Sequence, residues 1–411
     1  MRIFFKSLSL VLLALCVGVF SAVAYGTADI PDEFNITASD TVELEAPFGI
    51  RTQYEMARTA ATLGEGDGCG EHKAQVVALG AFPVKTVTVN VTKRKYVYVC
   101  GDVFGIKLYT QGVIVVGIEG VTTNSGSSSP GENAGVKKGD VIVSVNSEAL
   151  NSAEKLAQMV EASKGKPLLL ELMRGKAKHR LSLTPLLAAD GKYKAGLWVR
   201  DSSAGIGTIT FSSGEGGVFA GLGHAVCDID TGEIMPLSQG EAVMAQVVGC
   251  YRGAPGNPGE LCGTFTKDVI GSLVANNPAG VFGIADNASP AKGAQLPVAL
   301  ENEIKTGKAQ IIATVDENGP QYYDIEITKI YSSVDSTNRN MVVKVTDSVL
   351  LEKTGGIVQG MSGSPIIQNS MLVGAVTHVF INDPTQGYAI FAGKMLAAID
   401  SIQSSPLKKA S

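Results

Sequence analysis

The sequence predicts a mainly β protein with several domains. The chain has 411 residues, which exceeds the usual size of one domain and predicts two or three. Its 48 glycines, together with many runs of Val, Ile and Thr, are typical of strands joined by tight turns. Hydrophobic residues make up 45% of the chain and charged residues 18%, which indicates a packed core rather than disorder.

Charge and cysteine content argue against several classes of function. A formal net charge of -5 offers no basic face for phosphate backbones, so nucleic acid is not an expected partner. Five of the six cysteines lie beyond residue 24 and form no C-x-x-C pair, so at least one thiol stays unpaired in a monomer. The sequence shows no zinc-type ligand spacing, and we predict neither a metal nor a cofactor.

The first 24 residues have the pattern of an export signal. Arg2 and Lys6 form a basic start, residues 7–24 are uncharged and mostly apolar, and residues 22–24 offer the small side chains that a signal peptidase accepts. The apolar stretch is also close to the lower length limit for crossing a bilayer, so a retained membrane anchor is the alternative. In either case we expect the body of the chain outside the cytoplasm.

Residues 25–102 predict a small β-rich N-terminal domain. Polar and apolar residues alternate there without a long helical period. The clearest segment, residues 84–91, alternates Val with polar residues and predicts a strand with one buried face.

Residues 103–190 combine a glycine-containing motif with a helix pattern and two strand patterns. The sequence A-G-V-K-K-G-D-V-I-V-S-V-N at residues 134–146 precedes a helix pattern at 151–160 and strand patterns at 167–173 and 179–183. This combination resembles a PDZ domain. The resemblance implies a carboxylate-binding loop, followed by a strand that accepts a peptide by edge pairing. The loop would consist of Gly105, Ile106, Lys107 and Leu108. A PDZ domain that serves only as a scaffold is the alternative.

Residues 195–403 predict an all-β domain, followed by a tail at 404–411. Short strand patterns at even spacing, such as those at 243–248 and 341–345, are separated by glycine turns. This arrangement favours barrels or a pair of sandwiched sheets. Only residues 394–402 show a helical pattern.

The turn G-M-S-G-S-P at residues 360–365 has the features that a nucleophilic serine needs. Small neighbours let a carbonyl carbon approach Oγ, and permissive backbone angles can direct successive N–H groups at a developing negative charge. Ser362 stands where double β-barrel serine proteases carry their nucleophile in G-x-S-G-x-P, and Ser364 is its competitor. In that register the backbone N–H groups of Gly360 and Ser362 form the oxyanion hole. A simple hairpin turn is the alternative, because a short motif is a hypothesis until its context is found.

The four histidines of the chain are the candidates for a general base. His72 and His179 lie in polar surroundings outside the predicted all-β domain, and His378 follows Ser362 by sixteen positions. His224 lies in a glycine-flanked turn next to a strand, which is the setting that a general base requires. Because His224 also precedes Ser362, as in double β-barrel serine proteases, we predict a chymotrypsin-like pair of barrels.

Two questions about this site stay open from residue types alone. A rival interpretation takes His224, Cys227, Asp228 and Asp230 as metal ligands, although mixed hard and soft ligands within seven residues make a poor metal site. The acid of a triad accepts the Nδ1–H bond of the base and stabilises the imidazolium. Spacing does not choose among its candidates, which are Asp268, Asp286, Asp316, Asp324 and Asp347.

The order of signal, β domain, PDZ domain and peptidase motifs resembles the SpoIVB peptidases, stage IV sporulation protein B of endospore-forming bacteria. The motifs are G-H-A-V at 223–226, T-G-G-I-V-Q-G-M-S-G-S-P-I-I-Q-N at 354–369 and G-A-V-T-H-V-F-I-N-D-P at 374–384. The resemblance implies a serine endopeptidase whose triad consists of His224, Asp347 and Ser362.

The same resemblance implies a place and a substrate. The enzyme would be made in the forespore and exported to the space between forespore and mother cell. There it would cleave itself and a membrane-bound inhibitor of an intramembrane protease, which triggers processing of a late sigma factor. One alternative is an envelope quality-control protease of the HtrA kind, in which PDZ domains follow the catalytic domain. The other is a catalytically silent PDZ scaffold, which the presence of both His224 and Ser362 disfavours.

Overall fold

The computed structural model describes residues 21, 33–37, 43–46, 50–53, 69–78, 82–213, 217–286, 293–331 and 338–404. The export signal predicted at residues 1–24 and the tail predicted at 404–411 lie almost entirely outside these residues. Strands predominate in the described part, which confirms the mainly β prediction, and no helix there is long and apolar enough to cross a membrane. The chain divides into two units, Met1–Lys95 with Leu300–Ile304 and Tyr96–Ala299 with Lys305–Ser411.

The first unit contains a three-stranded sheet and a separate hairpin. The central strand of the sheet is parallel to one neighbour and antiparallel to the other. Alternating valines predicted this strand, and Val87, Val89 and Val91 are all buried, which confirms it. The strands are β1 (Glu33–Thr37), β2 (Glu43–Ala46), β3 (Ile50–Gln53), β4 (Gly70–Ala78) and β5 (Phe82–Thr92). The sheet order is β1-β5-β4, and β2 pairs with β3.

The second unit begins with a barrel into which a further domain is inserted. Its first elements are β6 (Tyr96–Val99), β7 (Val103–Ile118), β8 (Val121–Thr123), β9 (Gly126–Ser128), α1 (Pro130–Asn133), β10 (Val141–Val145), β11 (Glu148–Ala149), α2 (Ala153–Ala162), β12 (Leu168–Arg174), β13 (Ala177–Leu183), β14 (Leu186–Leu187), β15 (Tyr193–Lys194), β16 (Leu197–Ser212), β17 (Val218–Gly221), β18 (Leu237–Tyr251), β19 (Glu260–Asn277) and β20 (Gly280–Ala285). Six of these strands run around the barrel in the order β7-β18-β19-β20-β17-β16, and β16 pairs back onto β7 to close it.

The predicted PDZ motif lies in the insertion between β7 and β16. Strands β10, β12 and β13 continue the sheet from β7, and α2 packs its buried Leu156 and Val160 into the core of this inserted domain. Strands β7 and β16 are each 16 residues long and pair with one another from Val103 to Ile118. One ribbon of two strands therefore belongs both to the inserted domain and to the first barrel.

The prediction that residues 105–108 form the carboxylate-binding loop of the PDZ domain is wrong. Residues 105–108 lie in the middle of β7, where Gly105, Ile106, Lys107 and Leu108 pair with β16 on one side and with β18 on the other. Ile106 and Leu108 are buried in the barrel core. Because both edges are occupied by barrel strands, this segment is neither a loop nor an edge that a peptide could join.

The structure offers another edge for a peptide in the inserted domain. A groove of about 620 Å³ lies between α2 and the start of β16, and Leu156, Val160, Leu197 and Trp198 contribute to its walls. At residues 197–199 the edge of β16 that faces away from β7 pairs with no strand in the described part of the chain. A helix beside an unpaired strand edge is the arrangement by which PDZ domains bind peptides.

The second barrel is formed by the C-terminal part of the chain. Its elements, with those that lead into it, are β21 (Gln295–Pro297), a 3₁₀ turn (Glu301–Glu303, in the first unit), β22 (Gly307–Ala313), β23 (Gln321–Ile330), β24 (Met341–Val345), α3 (Ser348–Thr354), β25 (Pro365–Gln368), β26 (Met371–Phe380), β27 (Asp383–Phe391) and α4 (Ala392–Ser404). The strand order β22-β23-β24-β27-β26-β25 closes this barrel. Two barrels in one chain confirm the predicted chymotrypsin-like architecture, and α4 confirms the helix predicted near residues 394–402.

Candidate active site

The turn that carries Ser362 joins α3 to β25 and depends on glycine. Gly360 and Gly363 have φ angles of 96° and 98°, which strain any residue with a larger side chain. At Gly363 an added Cβ would also collide with the carbonyl oxygen of Thr208 in β16. The glycines of the motif therefore allow this turn to lie close to the first barrel.

Two threonines of β16 hold the turn against the first barrel. The Thr208 N–H donates to the Ser362 carbonyl over 2.9 Å, and Thr208 Oγ1 donates to the Gly360 carbonyl over 2.9 Å. Thr210 Oγ1 donates to the Gly363 carbonyl over 2.8 Å. Sequence reasoning missed both threonines because 152 and 153 positions separate these side-chain partners in the chain. The only local sign of these two residues in the sequence is the alternation T-I-T at residues 208–210, which places both threonines on the same face of a strand.

The two serines of the turn have different environments. Ser362 is half-buried and lines a cavity of about 600 Å³, where its Oγ donates to the carbonyl of Thr377 in β26 over 2.8 Å. Ser364 is fully buried, and its Oγ has no hydrogen-bond partner among the described residues. Of the two, only Ser362 has its hydroxyl in a cavity that a substrate carbonyl could enter.

His224 lines the same cavity as Ser362, just after the end of β17. Its Nδ1 lies 2.8 Å from the Ala225 carbonyl oxygen. Because a carbonyl oxygen can only accept, Nδ1 carries the proton and donates, which leaves Nε2 with a free lone pair. That tautomer is the one a general base needs. In this structure the Ser362 hydroxyl bonds to Thr377 rather than to His224, so Oγ must rotate before it can give up its proton.

The protonation of His224 gives a prediction for the pH dependence of the reaction. Burial lowers the pKa of His224 below its ordinary value, and the hydrogen bond with Ala225 offsets part of that shift. A base must be neutral to accept a proton, so at pH 6.5, about the ordinary pKa of histidine, the rate of acylation should exceed half of its plateau. We expect the midpoint of the fall in rate to lie below pH 6.5. The rate of phosphonylation of Ser362 by a fluorophosphonate, followed from pH 4 to pH 9, measures this fall at low pH. A midpoint above pH 6.5 would contradict the lowered pKa of His224.

An ion pair fixes the loop that follows His224. Asp228 is buried and binds the guanidinium of Arg200 from β16, while Asp230 binds the same guanidinium over 2.7 Å. Asp228 also accepts hydrogen bonds from the backbone and the hydroxyl of Thr231. Asp228 and Asp230 are thus partners of an arginine, which contradicts their interpretation as metal ligands together with His224.

Residues 191–396 match the family model described as SpoIVB peptidase S55, and residues 121–174 match a PDZ domain. The chain belongs to the SpoIVB peptidase S55 family. This SpoIVB peptidase is a serine endopeptidase, and the inserted domain is its PDZ domain. No curated protein matches the chain.

Solved structures show only a distant likeness to this SpoIVB peptidase. The HtrA-type protease AlgW with a tripeptide is 17% identical, with a TM-score of 0.30, over 50% of this chain and 57% of that one. AlgW with a decapeptide is 12% identical, with a TM-score of 0.30, over 75% of this chain and 66% of that one. A mutant of human heparin binding protein is 12% identical, with a TM-score of 0.24, over 46% and 76%. The chain thus spans less than two thirds of the AlgW chains that it matches.

The structure does not bring Asp347 to His224. Asp347 is the N-cap of α3: its Oδ1 accepts from the Leu350 N–H over 2.9 Å, and its Oδ2 accepts from the Asp324 N–H over 3.3 Å. It does not line the cavity, and the Nδ1–H of His224 bonds to Ala225 instead. In this structure the predicted triad acid caps a helix, because the start of α3 needs an acceptor for its free N–H groups.

Replacement of Asp347 distinguishes between two roles for this residue, as the cap of α3 and as the acid of the triad. Asn caps a helix about as well as Asp. Its amide has only one acceptor oxygen, so Asp347→Asn should lose the bond from the Asp324 N–H, at about 0.5 to 1.5 kcal/mol. Asp347→Ala loses both bonds and should cost about 1 kcal/mol more. Both variants should keep the parent rate of Ser362 phosphonylation. Urea unfolding and probe kinetics measure these quantities. A fall of about 10⁴-fold in Asp347→Asn, with the variant still folded, would instead identify Asp347 as the acid.

Two further features complete the cavity. The backbone N–H groups of Gly360 and Ser362 donate to no group within the described residues, which is compatible with the oxyanion hole predicted for them.

His378 of β26 also lines the cavity, and its ring lies against that of His224, with centroids 4.8 Å apart and 37° between the planes. Sequence reasoning counted His378 but assigned it no role, because its distance from His224 becomes short only when the barrels meet.

Proposed function

We propose that this SpoIVB peptidase is an exported sporulation enzyme that cleaves itself and a membrane-bound inhibitor of an intramembrane protease. Cleavage of the inhibitor, in the space between forespore and mother cell, would start processing of a late sigma factor. The family match supports a role in sporulation, since the family is named for it. The observation that carries the proposed chemistry is that Ser362 and a correctly protonated His224 line one cavity.

In the proposed reaction Ser362 acts as nucleophile and His224 as base. Ser362 Oγ turns from the Thr377 carbonyl, gives its proton to Nε2 of His224 and attacks the substrate carbonyl carbon. The N–H groups of Gly360 and Ser362 stabilise the resulting oxyanion, a contribution of about 3 to 4 kcal/mol for each donor. His224 then gives its proton to the leaving amine, and water hydrolyses the acyl-enzyme with His224 again as base.

We assign substrate recruitment to the PDZ groove rather than to residues 105–108. A peptide could add a strand to β16 at residues 197–199, with side chains directed toward Leu156 and Val160 of α2. The same strand continues to Thr208, which holds the Ser362 turn. The PDZ domain lies inside the first barrel's sequence rather than after the catalytic domain, which disfavours the HtrA-like alternative.

Self-cleavage of the purified full-length protein tests the proposal. We expect new N-termini to accumulate, as identified by mass spectrometry, and a Ser362→Ala copy to be cleaved only when the active parent is added. In a host that makes the membrane-bound inhibitor, the intramembrane protease and the sigma-factor precursor together, the parent should trigger precursor processing. Degradation of unfolded casein without inhibitor cleavage would favour the quality-control alternative, and a parent inert in both assays would favour the silent scaffold.

A further inference from the structure

The N–H of Gly360, one of the two predicted oxyanion donors, is directed by a bond that comes from the first barrel. In a trans peptide unit the C=O and N–H groups point in opposite directions, so a bond that fixes the carbonyl also fixes the direction of the N–H. The carbonyl of this unit belongs to Gln359, and it accepts from the Leu261 N–H of β19 over 2.9 Å. The Gly360 N–H therefore points away from β19, and Gly360 itself lines the cavity.

The freedom of a glycine makes this outside support necessary. Gly360 has a φ angle of 96°, and a residue without a side chain lets the peptide unit before it rotate at little cost. The other predicted donor is fixed within the turn itself. The Met361 carbonyl, which shares a peptide unit with the Ser362 N–H, accepts from the Ser364 N–H over 2.9 Å. One donor is thus held locally, while the other depends on a strand that is distant in the chain.

Leu261 contacts the turn with its side chain as well as with its backbone. It is only 3% exposed, and a Cβ added at Gly360 would lie 3.0 Å from Leu261 Cβ and 3.1 Å from its Cδ1. The Leu261 side chain therefore packs directly against Gly360. The Gln359 N–H also donates to the Gly259 carbonyl over 3.1 Å, and Gln359 forms a parallel bridge with Glu260. Both backbone groups of Gln359 are thus bound to the start of β19.

The loop that joins β18 to β19 keeps Leu261 against the second barrel. The Gly253 N–H donates over 2.7 Å to the carbonyl of Thr354, at the end of α3. The Gly256 N–H donates over 2.8 Å to the carbonyl of Ile381, which follows β26 and lines the cavity. The start of β19 is therefore anchored to the second barrel on both sides of the segment that leads to the nucleophile.

We propose that Leu261 is a positioning residue, whose N–H and side chain hold the peptide unit between Gln359 and Gly360 so that the Gly360 N–H faces the oxyanion. The inference rests on the proposed roles of Ser362 and His224. Leu261 touches neither the substrate nor the reacting atoms, and it acts only through Gly360. Because the oxyanion forms only during the reaction, a loss of this support should slow the chemical step and leave binding unchanged.

Two changes at position 261 test the two contacts separately. Incorporation of the α-hydroxy acid analogue of leucine replaces the backbone amide by an ester, which removes the Leu261 N–H and keeps the side chain. Leu261→Ala keeps the N–H and removes most of the side chain. Leu273→Ala is the matched control, because Leu273 is also a buried residue of β19 but packs against Gly240 rather than against the turn.

The probe is a fluorophosphonate, whose phosphonyl oxygen takes the place of the oxyanion when it reacts with Ser362. Removal of a whole donor costs about 10²- to 10³-fold, so a donor that is present but poorly directed should cost about 30-fold in the ester and about tenfold in Leu261→Ala. These losses should appear in the limiting rate of phosphonylation, with the half-saturating probe concentration unchanged. Leu273→Ala should keep the parent limiting rate.

The ³¹P signal of phosphonylated Ser362 distinguishes positioning from a loss of stability. Hydrogen bonds to the phosphonyl oxygen change its ³¹P shift, so the shift should move in both variants at position 261 and stay constant in Leu273→Ala. The parent limiting rate in the ester protein, a slower rate with an unchanged ³¹P shift, or an equal loss in Leu273→Ala would each overturn the inference. If the parent itself fails to react, the proposed catalytic function fails instead.

Discussion

Ser362→Ala is expected to abolish peptidase activity, while Ser364→Ala keeps most of it. Removal of the nucleophile of a serine peptidase lowers kcat by about 10⁶-fold. Ser362 lines the cavity next to His224, whereas Ser364 is buried and its hydroxyl has no partner among the described residues. Loss of that hydroxyl should not destabilise the fold, because a buried polar group without a partner is itself unfavourable. Self-cleavage and fluorophosphonate labelling measure both variants.

The pair of serine variants also tests the register of the motif. The two residues are two positions apart in one turn, so a general distortion of the turn should affect both variants alike. If labelling survives in Ser362→Ala and disappears in Ser364→Ala, Ser364 rather than Ser362 is the nucleophile. Labelling that survives in both would remove the catalytic assignment, and with it the proposed oxyanion hole at Gly360 and Ser362.

His224→Ala should lower the rate nearly as much as Ser362→Ala, and the double variant should be no slower than either. Residues of a catalytic unit act together, so the loss from one includes the contribution of the other. The base is also held in place from outside the cavity, since Asn276 bonds to the backbone of Val226 two positions later. Single-turnover kinetics of the three variants, with thermal unfolding to check the fold, measure the coupling.

The size of that coupling decides whether His224 and Ser362 form one unit. If the losses of the two single variants multiplied in the double variant, the residues would act independently. His378 would then be the remaining candidate base in the cavity, since no other histidine lines it among the described residues. Fluorophosphonate labelling of Ser362 in the His224→Ala protein near the parent rate would lead to the same conclusion.

The long strand β16 connects the separate parts of the proposed mechanism. Its first residues form the edge of the PDZ groove, Arg200 binds Asp228 after His224, and Thr208 holds the Ser362 turn. These contacts lie along one continuous strand that pairs with β7 for much of its length. The PDZ domain is thus joined to the catalytic barrel by a paired ribbon rather than by a flexible linker.

Much of this organisation is readable from local patterns. Alternating valines predicted β5, the even spacing of strands predicted a barrel architecture, and G-M-S-G-S-P predicted the turn at Ser362. Each of these features depends on residues close together in the chain. The family motifs around His224 and Ser362 are equally local, and the match to SpoIVB peptidase S55 confirms the resemblance drawn from them.

Local patterns are insufficient where a feature depends on a distant partner. Residues 105–108 were interpreted as a PDZ loop from their position before the motif at 134–146, but whether a strand has a free edge depends on β16 and β18, which come much later. The assignment of Asp347 as the acid stays a prediction from the family pattern, and its carboxylate direction in this structure depends on the helix that it caps and on Asp324. Neither relation can be deduced from spacing.

The sequence by itself therefore determined the class of the protein, its β architecture and the identity of the nucleophile turn, because glycines, alternating side chains and short motifs act over a few residues. Tertiary structure alone decided what surrounds that turn. Thr208 and Thr210 contact it from more than 150 positions away, and His378 reaches His224 only where the barrels meet. Hydrogen bonds and ring contacts require distances of a few ångströms. The packing of the two barrels, rather than the order of residues in the sequence, sets those distances.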